Sequence, residues 1–296
     1  MVASDEIVAQ TISTFLAAAE ANRETANRQG NVIEIAAGDA DSVMITADLH
    51  GNRVNFDRLL AVADLEKYDR RQLVMQEVCH GGPSYPFSSG CMSHLLLEDV
   101  AELKAMHRDR FHFLMSNHEL AELADFPITK SSRMLNLAFR SGMQQMYGAN
   151  VESVREASLK FIESCPLAVR IDQRIFVCHS TPERVDQDGF DATVFDRPLA
   201  PQDLAAHGPV FRLVWGRDFR AENAAAFADL VKADVLIHGH EPCPQGFSVP
   251  NAHQIILDCC GVKASYLMLP TGQQLAFEEI VALIRTLDLP HANSPI

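Results

Sequence analysis

Five short apolar stretches of this sequence are each followed directly by side chains that can bind a metal ion. These side chains are Asp48 and His50 after 43–47, Glu77 after 73–75, Asn117 and His118 after 113–115, His179 after 175–178, and His238 and His240 after 235–237. In α/β proteins the carboxyl ends of neighbouring strands meet at one crevice, where sites are built. One such histidine alone is more often a partly buried polar residue than a ligand. Five repeats of the same pattern favour a single shared site.

The residue types in these five sets indicate which metal and which reaction to expect. Imidazole, carboxylate and amide oxygen form the mixed ligand set that suits manganese, iron or zinc, whereas a closed structural zinc site is richer in thiolate. Two such ions ~3.5–4 Å apart can activate a water molecule and hold the oxygens of a phosphoryl group. Their charge would also attract an anionic substrate to an acidic protein.

The composition restricts the partners that this protein can have. The chain has 296 residues, with 25 Lys and Arg against 39 Asp and Glu, and a formal net charge of −14. Nucleic acids and anionic membranes attract clustered Lys and Arg, so we expect neither as a partner. No apolar run approaches ~20 residues, and the acidic start of the chain does not resemble a signal peptide, so we expect a cytoplasmic location. The seven cysteines include no C-x-x-C pair and are interpreted as reduced thiols.

The elements that must position the metal-binding side chains alternate between helices and strands. Apolar spacing predicts helices at 5–28, 56–66, 92–107, 133–147 and 278–286. β-Branched runs predict a hairpin of 32–36 with 43–47, a second hairpin of 167–171 with 175–178, and strands at 254–257 and 265–269. This pattern predicts sheets covered by helices in a single domain, 1–296. Within it we expect an N-terminal helical extension at 1–30, a core at 43–271, and a C-terminal helix and tail at 277–296.

Four sequence motifs resemble those of a known family. They are ADLHGN at 47–52, SNHE at 116–119, CHS at 178–180 and GHEP at 239–242. In this order they resemble the G-D-x-H-G, G-N-H-E, H-G and G-H-T-P motifs of the calcineurin-like metallophosphoesterases. Together with segment 213–218 they are closest to the serine/threonine protein phosphatase (PPP) branch, bacterial type. The resemblance covers 43–271 and implies an α/β fold of two mixed β-sheets flanked by helices, a four-layer α/β/β/α sandwich.

The resemblance also implies a dinuclear metal centre that hydrolyses phosphate esters. Six side chains would be its ligands: Asp48 and His50 on the first ion, Glu77 between the ions, and Asn117, His179 and His240 on the second. The implied cofactors are two divalent metal ions, manganese first, with iron, zinc, nickel or cobalt as alternatives. A metal-bridging hydroxide would attack a phosphomonoester or phosphoanhydride while His118 protonates the leaving group. The implied partner is a phosphorylated small molecule, nucleotide or phosphoprotein, and the oligomeric state stays open.

Two arginines are candidates for binding the substrate. By the resemblance, Arg217 would hold the phosphate through its planar, two-pronged guanidinium, which lysine cannot reproduce. The alternative for Arg217 is a surface ion pair with Asp218 or another neighbour. Arg53 follows the first motif and is the second candidate, with a solvated position at the start of a helix as an equally good interpretation.

The sequence departs from the family at three functional positions of one motif. Where the family has G-D-x-x-D-R-G, residues 76–82 read QEVCHGG. Glu77 replaces the bridging aspartate, His80 replaces the aspartate that orients the catalytic histidine, and Gly81 replaces an arginine that binds phosphate. We expect His80 and His238 to support the ligands from behind. These departures leave a second hypothesis open, a catalytically weakened relative that acts as a binding or regulatory module.

Overall fold

The computed structural model describes residues 2–130 and 132–287. Its helices are α1 (Asp5–Arg23), α2 (Arg53–Ala63), α3 (Ser93–Met106), α4 (Asn117–Leu123), α5 (Leu135–Tyr147), α6 (Val151–Ser164), α7 (Val185–Asp188), α8 (Pro201–Leu204), α9 (Pro209–Trp215), α10 (Ala221–Leu230) and α11 (Phe277–Val281). Its strands are β1 (Arg28–Gln29), β2 (Val32–Ile35), β3 (Ser42–Ile45), β4 (Arg71–Gln76), β5 (Phe111–Leu114), β6 (Thr129–Lys130), β7 (Arg133–Met134), β8 (Ala168–Ile171), β9 (Ile175–Cys178), β10 (Val235–His238), β11 (Phe247–Ser248), β12 (Gln254–Leu257), β13 (Ser265–Pro270) and β14 (Ile284–Thr286).

A seven-stranded mixed sheet contains the strands that precede His179 and His240. Its strand order is β1-β2-β8-β9-β10-β12-β11. Strand β10 is parallel to both β9 and β12, with Leu236 opposite Phe176. Because β9 and β10 run in the same direction, the residues that follow them emerge at the same edge of the sheet. The predicted hairpin of β8 with β9 is confirmed.

A five-stranded mixed sheet contains the strands that precede the other metal-binding side chains. Its strand order is β14-β13-β3-β4-β5, and β3, β4 and β5 are parallel to one another. Strand β13 pairs antiparallel with β3. The three parallel strands end at one edge, so Asp48, Glu77 and Asn117 follow them within a short distance of one another.

Helices cover the outer faces of the two sheets. Helices α2 and α3 pack on the five-stranded sheet, and α10 packs on the seven-stranded sheet. All four residues of β5, β9, β10 and β12 are buried, as expected for strands covered on both faces. The α/β fold class predicted from the sequence, two mixed sheets flanked by helices, is therefore confirmed.

The first predicted hairpin is wrong. Strand β2 belongs to the seven-stranded sheet, where it pairs in parallel with β8, whereas β3 belongs to the five-stranded sheet. The turn-forming residues at 38–41 carry the chain from one sheet to the other instead of folding it back. A turn signal fixes a change of direction, and the partner of each strand is chosen by burial against distant residues.

Both predicted terminal helices are too long. Helix α1 ends at Arg23, and Arg28–Gln29 instead pairs as β1 with β2. The last helix is only Phe277–Val281, because the chain then adds Ile284–Thr286 to the edge of the five-stranded sheet. Residues 288–296 of the expected tail lie outside the described residues.

Helix α1 is packed against the main body, as its apolar spacing predicts. It contacts α3 and α6, and the ring of Phe15 lies 6.1 Å from that of Phe161. Sequence reasoning missed helix α6 itself, as well as α10. Among the described residues, no helix is both long enough and apolar enough to span a bilayer.

Candidate metal centre

Glu77 lies between two groups of metal-binding side chains. Its Oε1 is 3.0 Å from Nε2 of His50, and its Oε2 is 2.9 Å from Nε2 of His179. The Glu77 side chain is 1% exposed. Two triads therefore share this one carboxylate: Glu77 with His50 and His118, and Glu77 with His179 and His240.

On the side of Glu77 that faces His179 and His240, acceptor atoms surround the Nε2 of His179. The Nδ1 of His179 lies 2.8 Å from the side-chain oxygen of Gln76, so a neutral His179 carries its proton there. Its Nε2 then has only a lone pair, yet it lies 2.7 Å from Oδ1 of Asn117 and 3.3 Å from Nδ1 of His240. Lone pairs that face one another without a proton between them are what a cation needs.

The orientation of Gln76 supports this assignment of the His179 proton. The amide nitrogen of Gln76 donates to the carbonyl of Thr46 across 3.1 Å, which turns its oxygen toward His179. Gln76 is fully buried and immediately precedes Glu77. Sequence reasoning missed this residue, although its position beside a proposed ligand was the available signal.

On the side of Glu77 that faces His50 and His118, Asp48 accepts a hydrogen bond from the loop that follows β10 of the other sheet. The N–H of His240 donates to Oδ1 of Asp48 across 2.9 Å. The backbone N–H groups of Leu49 and His50 both donate to the carbonyl of Glu77. The loops that follow β3, β4 and β10 are thus tied together by the main chain, and their side chains meet at one place.

The charges at this place are strongly perturbed. Burial raises the pKa of Asp48 to about 7, and the nearby Glu77 carboxylate adds to the shift. Burial also acts to raise the pKa of Glu77, but the neighbouring histidines outweigh it and hold that pKa well below its usual value. Burial opposes the charge of His50, and the Glu77 carboxylate reverses this and raises the His50 pKa to about 9. Two buried carboxylates that repel each other are stabilised by a bound cation.

Unpartnered buried atoms support the same interpretation. Nδ1 of His50, Oε2 of Glu77 and Nε2 of His240 are buried and form no hydrogen bond in the described structure. Buried polar atoms are rarely left without a partner in folded proteins, and each instance needs an explanation. The donor set of imidazole, carboxylate and amide oxygen fits a divalent metal ion such as manganese, iron or zinc.

Glycines bring the loops after β3 and β4 into backbone contact. A Cβ on Gly51 would lie 2.8 Å from the backbone of Gly81, and a Cβ on Gly81 would lie 2.6 Å from the carbonyl oxygen of His50. Gly81 also has a φ of +130°, which side-chain-bearing residues rarely adopt. This backbone therefore leaves no room for a side chain at position 81.

Buried Glu119 holds the loop that contains Glu77 and His80. Its Oε1 accepts hydrogen bonds from the backbone N–H groups of Val78 and Cys79 at 3.0 and 2.9 Å. Glu119 belongs to helix α4, the same helix that carries Asn117 and His118. The motif that contains the proposed ligand Asn117 therefore also fixes the neighbouring loop.

His118 faces the shared site from the first turn of helix α4. Ser116 caps this helix and accepts a hydrogen bond from the His118 N–H. The ring Nε2 lies 3.9 Å from Oε1 of Glu77. Burial lowers the pKa of His118 to about 3, and the Glu77 carboxylate opposes the shift. The other ring nitrogen, Nδ1, lies 2.9 Å from Nδ1 of His80.

The two candidate arginines lie beside the site and are ion-paired. Arg217 and all of the proposed ligands except His179 line one cavity of about 390 Å³, and the Arg217 guanidinium contacts Glu241. Arg53 lines an adjoining cavity of about 520 Å³ and contacts Asp99. Lys130 lines both cavities, and sequence reasoning missed it because no motif surrounds it.

His238 is fully buried behind the ligand loops. Its Nδ1 lies 3.1 Å from the carbonyl oxygen of Gly239, and its Nε2 lies 3.2 Å from the amide nitrogen of Gln254. These contacts connect it with the backbone just before His240 and with strand β12. Any support that His238 gives to the proposed ligands would thus pass through the main chain.

Comparisons with known proteins identify the family of this chain. A model of the calcineurin-like phosphoesterase family matches residues 42–244. A protein serine/threonine phosphatase from Saccharomyces cerevisiae is similar in structure, with a TM-score of 0.66, 15% identity, and coverage of 98% of this chain and 92% of that one. A cold-active protein-tyrosine phosphatase of a psychrophilic Shewanella has a TM-score of 0.53, 13% identity, and coverage of 91% and 84%. No curated protein sequence matches. The chain belongs to the calcineurin-like phosphoesterase family and is a metal-dependent hydrolase of phosphate esters.

Proposed function

We propose that this phosphoesterase uses two divalent metal ions, one on each side of Glu77. The observation that carries the proposal is the position of the Glu77 carboxylate, whose two oxygens lie 3.0 and 2.9 Å from ring nitrogens of His50 and His179. A carboxylate between two sets of ligands is the bridge that a two-metal site needs. The other ligands would be Asp48 and His50 on one side, and Asn117, His179 and His240 on the other.

The cofactor and the residues divide the chemistry between them. When bound, two manganese ions supply an activated water and an electrophilic hold on the phosphoryl oxygens. Gln76 fixes the ring of His179, and the N–H of His240 fixes Asp48. His118, whose Nε2 is directed toward Glu77, would give its proton to the leaving-group oxygen. The mixed nitrogen and oxygen ligand set supports manganese as the metal.

The proposed substrate is a phosphomonoester or a phosphoanhydride. Arg217 lines the same cavity as the ligands and pairs there with Glu241. A phosphate group can replace that carboxylate, because both present oxygens to the guanidinium fork. Arg53 would contact a part of the substrate that extends into the adjoining cavity. Since both sheets contribute ligands, we also propose that the chain forms a single domain.

The experiment that tests the proposal counts metal ions per chain. Protein stripped with a chelator, re-equilibrated with excess Mn²⁺ and desalted is expected to retain two ions per chain by elemental analysis. The Glu77→Gln variant is expected to lose ions from both sides and to lose hydrolysis of p-nitrophenyl phosphate by at least ~100-fold, because the bridge also orients the reacting groups. Glu77→Asp restores the family residue and is expected to retain both ions and activity.

Glu66→Gln is the matched control, because it removes a carboxylate whose side chain is 83% exposed. It is expected to retain two ions and full activity. A Glu77→Gln protein with two ions and an unchanged rate contradicts the bridging role. One ion or none in the wild type would instead favour the binding or regulatory relative, which the departures at Glu77, His80 and Gly81 motivate.

A further inference from the structure

Two further buried polar residues, His80 and Glu122, form a chain of contacts with His118 on the side away from the proposed ligands. The Nδ1 of His80 lies 2.9 Å from Nδ1 of His118, and the Nε2 of His80 lies 2.8 Å from Oε1 of Glu122. His80 and Glu122 are each only 2% exposed. Glu122 lies four residues after His118 on helix α4, so both side chains occupy one face of that helix.

The partners of Glu122 identify it as a carboxylate. The amide nitrogen of Asn136 donates to its Oε1 across 2.9 Å, and the guanidinium of Arg140 donates to its Oε2 across 3.4 Å. The orientation of the Asn136 amide is fixed, because its oxygen accepts from the N–H of Ile128. Both carboxyl oxygens of Glu122 therefore accept hydrogen bonds, and the Nε2 of His80 is a further donor to Oε1.

The contacts of His118 identify which of its nitrogens carries a proton. The backbone N–H of His80 donates to Nδ1 of His118 across 3.2 Å, so this nitrogen is an acceptor. The adjacent Nδ1 of His80 is then the donor of that contact, so both ring nitrogens of His80 donate, Nδ1 to His118 and Nε2 to Glu122. A neutral His118 that accepts at Nδ1 carries its proton on Nε2, the nitrogen directed at the metal centre. This assignment follows from the hydrogen-bond network.

We propose that Glu122, acting through His80, positions the proton-donating nitrogen of His118. The pair would replace the aspartate that the family places directly behind its catalytic histidine, which the sequence of this chain lacks. Glu122 and His80 are thus positioning residues, because neither lines the cavity that contains His118 and Arg217, although His80 lines the adjoining one. The inference rests on the proposed function, in which His118 is the proton donor.

The proton balance of this arrangement closes. The Nε2 proton of His118 moves to the leaving-group oxygen as its bond to phosphorus breaks. The Nδ1 proton of His80 moves to Nδ1 of His118, so His118 stays neutral and never becomes an imidazolate. His80 is left neutral and still donates from Nε2 to Glu122. A proton from solvent restores the starting state after the product leaves.

The test compares two substrates that differ in how much they need a proton on the leaving group. Glu122→Gln is expected to slow hydrolysis of phenyl phosphate by at least about tenfold, the usual range for a residue behind an active side chain. It is expected to change the rate for p-nitrophenyl phosphate by no more than about twofold, because p-nitrophenolate leaves without protonation. Metal content is expected to remain at the wild-type value.

The matched control is Glu98→Gln. Glu98 also contacts a buried histidine, with its Oε1 3.2 Å from Nδ1 of His94, but neither residue hydrogen-bonds to a proposed ligand in the described structure. This variant is expected to leave both rates unchanged. Glu122→Asp is the second test variant, because it keeps the charge beside Arg140 and withdraws the carboxylate from His80. It is expected to show the same selective loss as Glu122→Gln.

A rescue separates positioning from simple structural damage. His80→Asp restores the family aspartate next to His118, so Glu122 becomes unnecessary for its orientation. In the His80→Asp background, Glu122→Gln is expected to cost no more than about twofold on either substrate, the limit for uncoupled residues. Nitrogen-15 NMR is expected to find Nδ1 of His118 unprotonated in the wild type and protonated in His80→Asp.

Three results overturn the inference. The first is an equal loss of rate on both substrates in Glu122→Gln, together with a selective loss of rate on phenyl phosphate in His118→Asn. It would refute the positioning role of Glu122 and His80 and leave the proposed function standing. The second is the absence of a selective loss of rate on phenyl phosphate in His118→Asn. It would refute the proton-donor role of His118 and, with it, the positioning role of Glu122 and His80. The third is a loss of rate from Glu122→Gln that is as large in the His80→Asp background as in the wild type. It would make Glu122 a purely structural residue.

Discussion

Gly239 offers a sharp test of how closely the two sheets meet at the metal centre. A Cβ at this position would lie 2.3 Å from Oδ1 of Asp48 and 3.0 Å from the Cβ of Ala47, whereas ordinary contacts begin at 3.4 Å. The shortfall against Asp48 is 1.1 Å. The Asp48 carboxylate is buried and accepts a hydrogen bond from the N–H of His240, so it cannot rotate away without losing that bond.

Gly239→Ala is therefore expected to move the Asp48 carboxylate by about 1 Å. A misplacement of this size costs ~100-fold in rate, equivalent to ~2.7 kcal/mol of transition-state free energy. The overpacking itself is expected to lower the free energy of unfolding by ~1–3 kcal/mol. The assay is kcat/KM for p-nitrophenyl phosphate at saturating Mn²⁺, with bound metal and Tm measured on the same sample.

Gly261→Ala is the matched control for this prediction. The nearest atom to its Cβ is the backbone nitrogen of Lys263 at 4.0 Å, so the added methyl meets no obstacle. The control is expected to keep wild-type activity and metal content. A Gly239→Ala protein that keeps both its metal and its rate to within about threefold would falsify the assignment of Asp48 as a ligand at this place.

Two further predictions concern charged side chains. Arg217→Ala is expected to raise KM for a phosphate ester by about tenfold or more. The control is Arg220→Ala, which removes an arginine paired with Asp186 and Asp218 and is expected to leave steady-state kinetics unchanged. Equal effects of the two substitutions on KM would exclude Arg217 from the substrate site. Burial lowers the pKa of Lys104 to about 7, so between about pH 7 and 10 the unfolded chain binds more protons than the folded chain. The free energy of unfolding is therefore expected to rise with pH by ~1.4 kcal/mol per unit relative to that of Lys104→Met. Urea unfolding that gives the same stability difference between the two proteins at pH 7 and at pH 9 would contradict this.

Local patterns in the sequence predicted the parts of the fold that depend on neighbouring residues. The hairpin of β8 with β9 was predictable because Asp172 and Gln173 adopt positive φ in a tight turn between two short apolar runs. Similar residues at 38–41 do not form a hairpin, because β2 and β3 bury their faces in different sheets. Strand pairing between distant segments depends on burial that no local pattern records.

The same limit applies to the metal centre. The proposed ligands could be named from the sequence because each closely follows an apolar strand. The contact of Glu122 with His80 joins residues 42 positions apart, and the sequence presented His80 only as a departure from a motif. Helical spacing between His118 and Glu122 was the one available signal, and it points to a shared face without naming what lies there.

The division of the proposed ligands between two sheets has a consequence for protein synthesis. Asp48, Glu77 and Asn117 follow strands of one sheet, whereas His179 and His240 follow strands of the other. Chains emerge from the ribosome with their N-terminal part first, so the second half of the centre arrives late. A nascent chain has no complete hydrolytic centre until residue 240 has left the ribosome and both sheets have closed on each other.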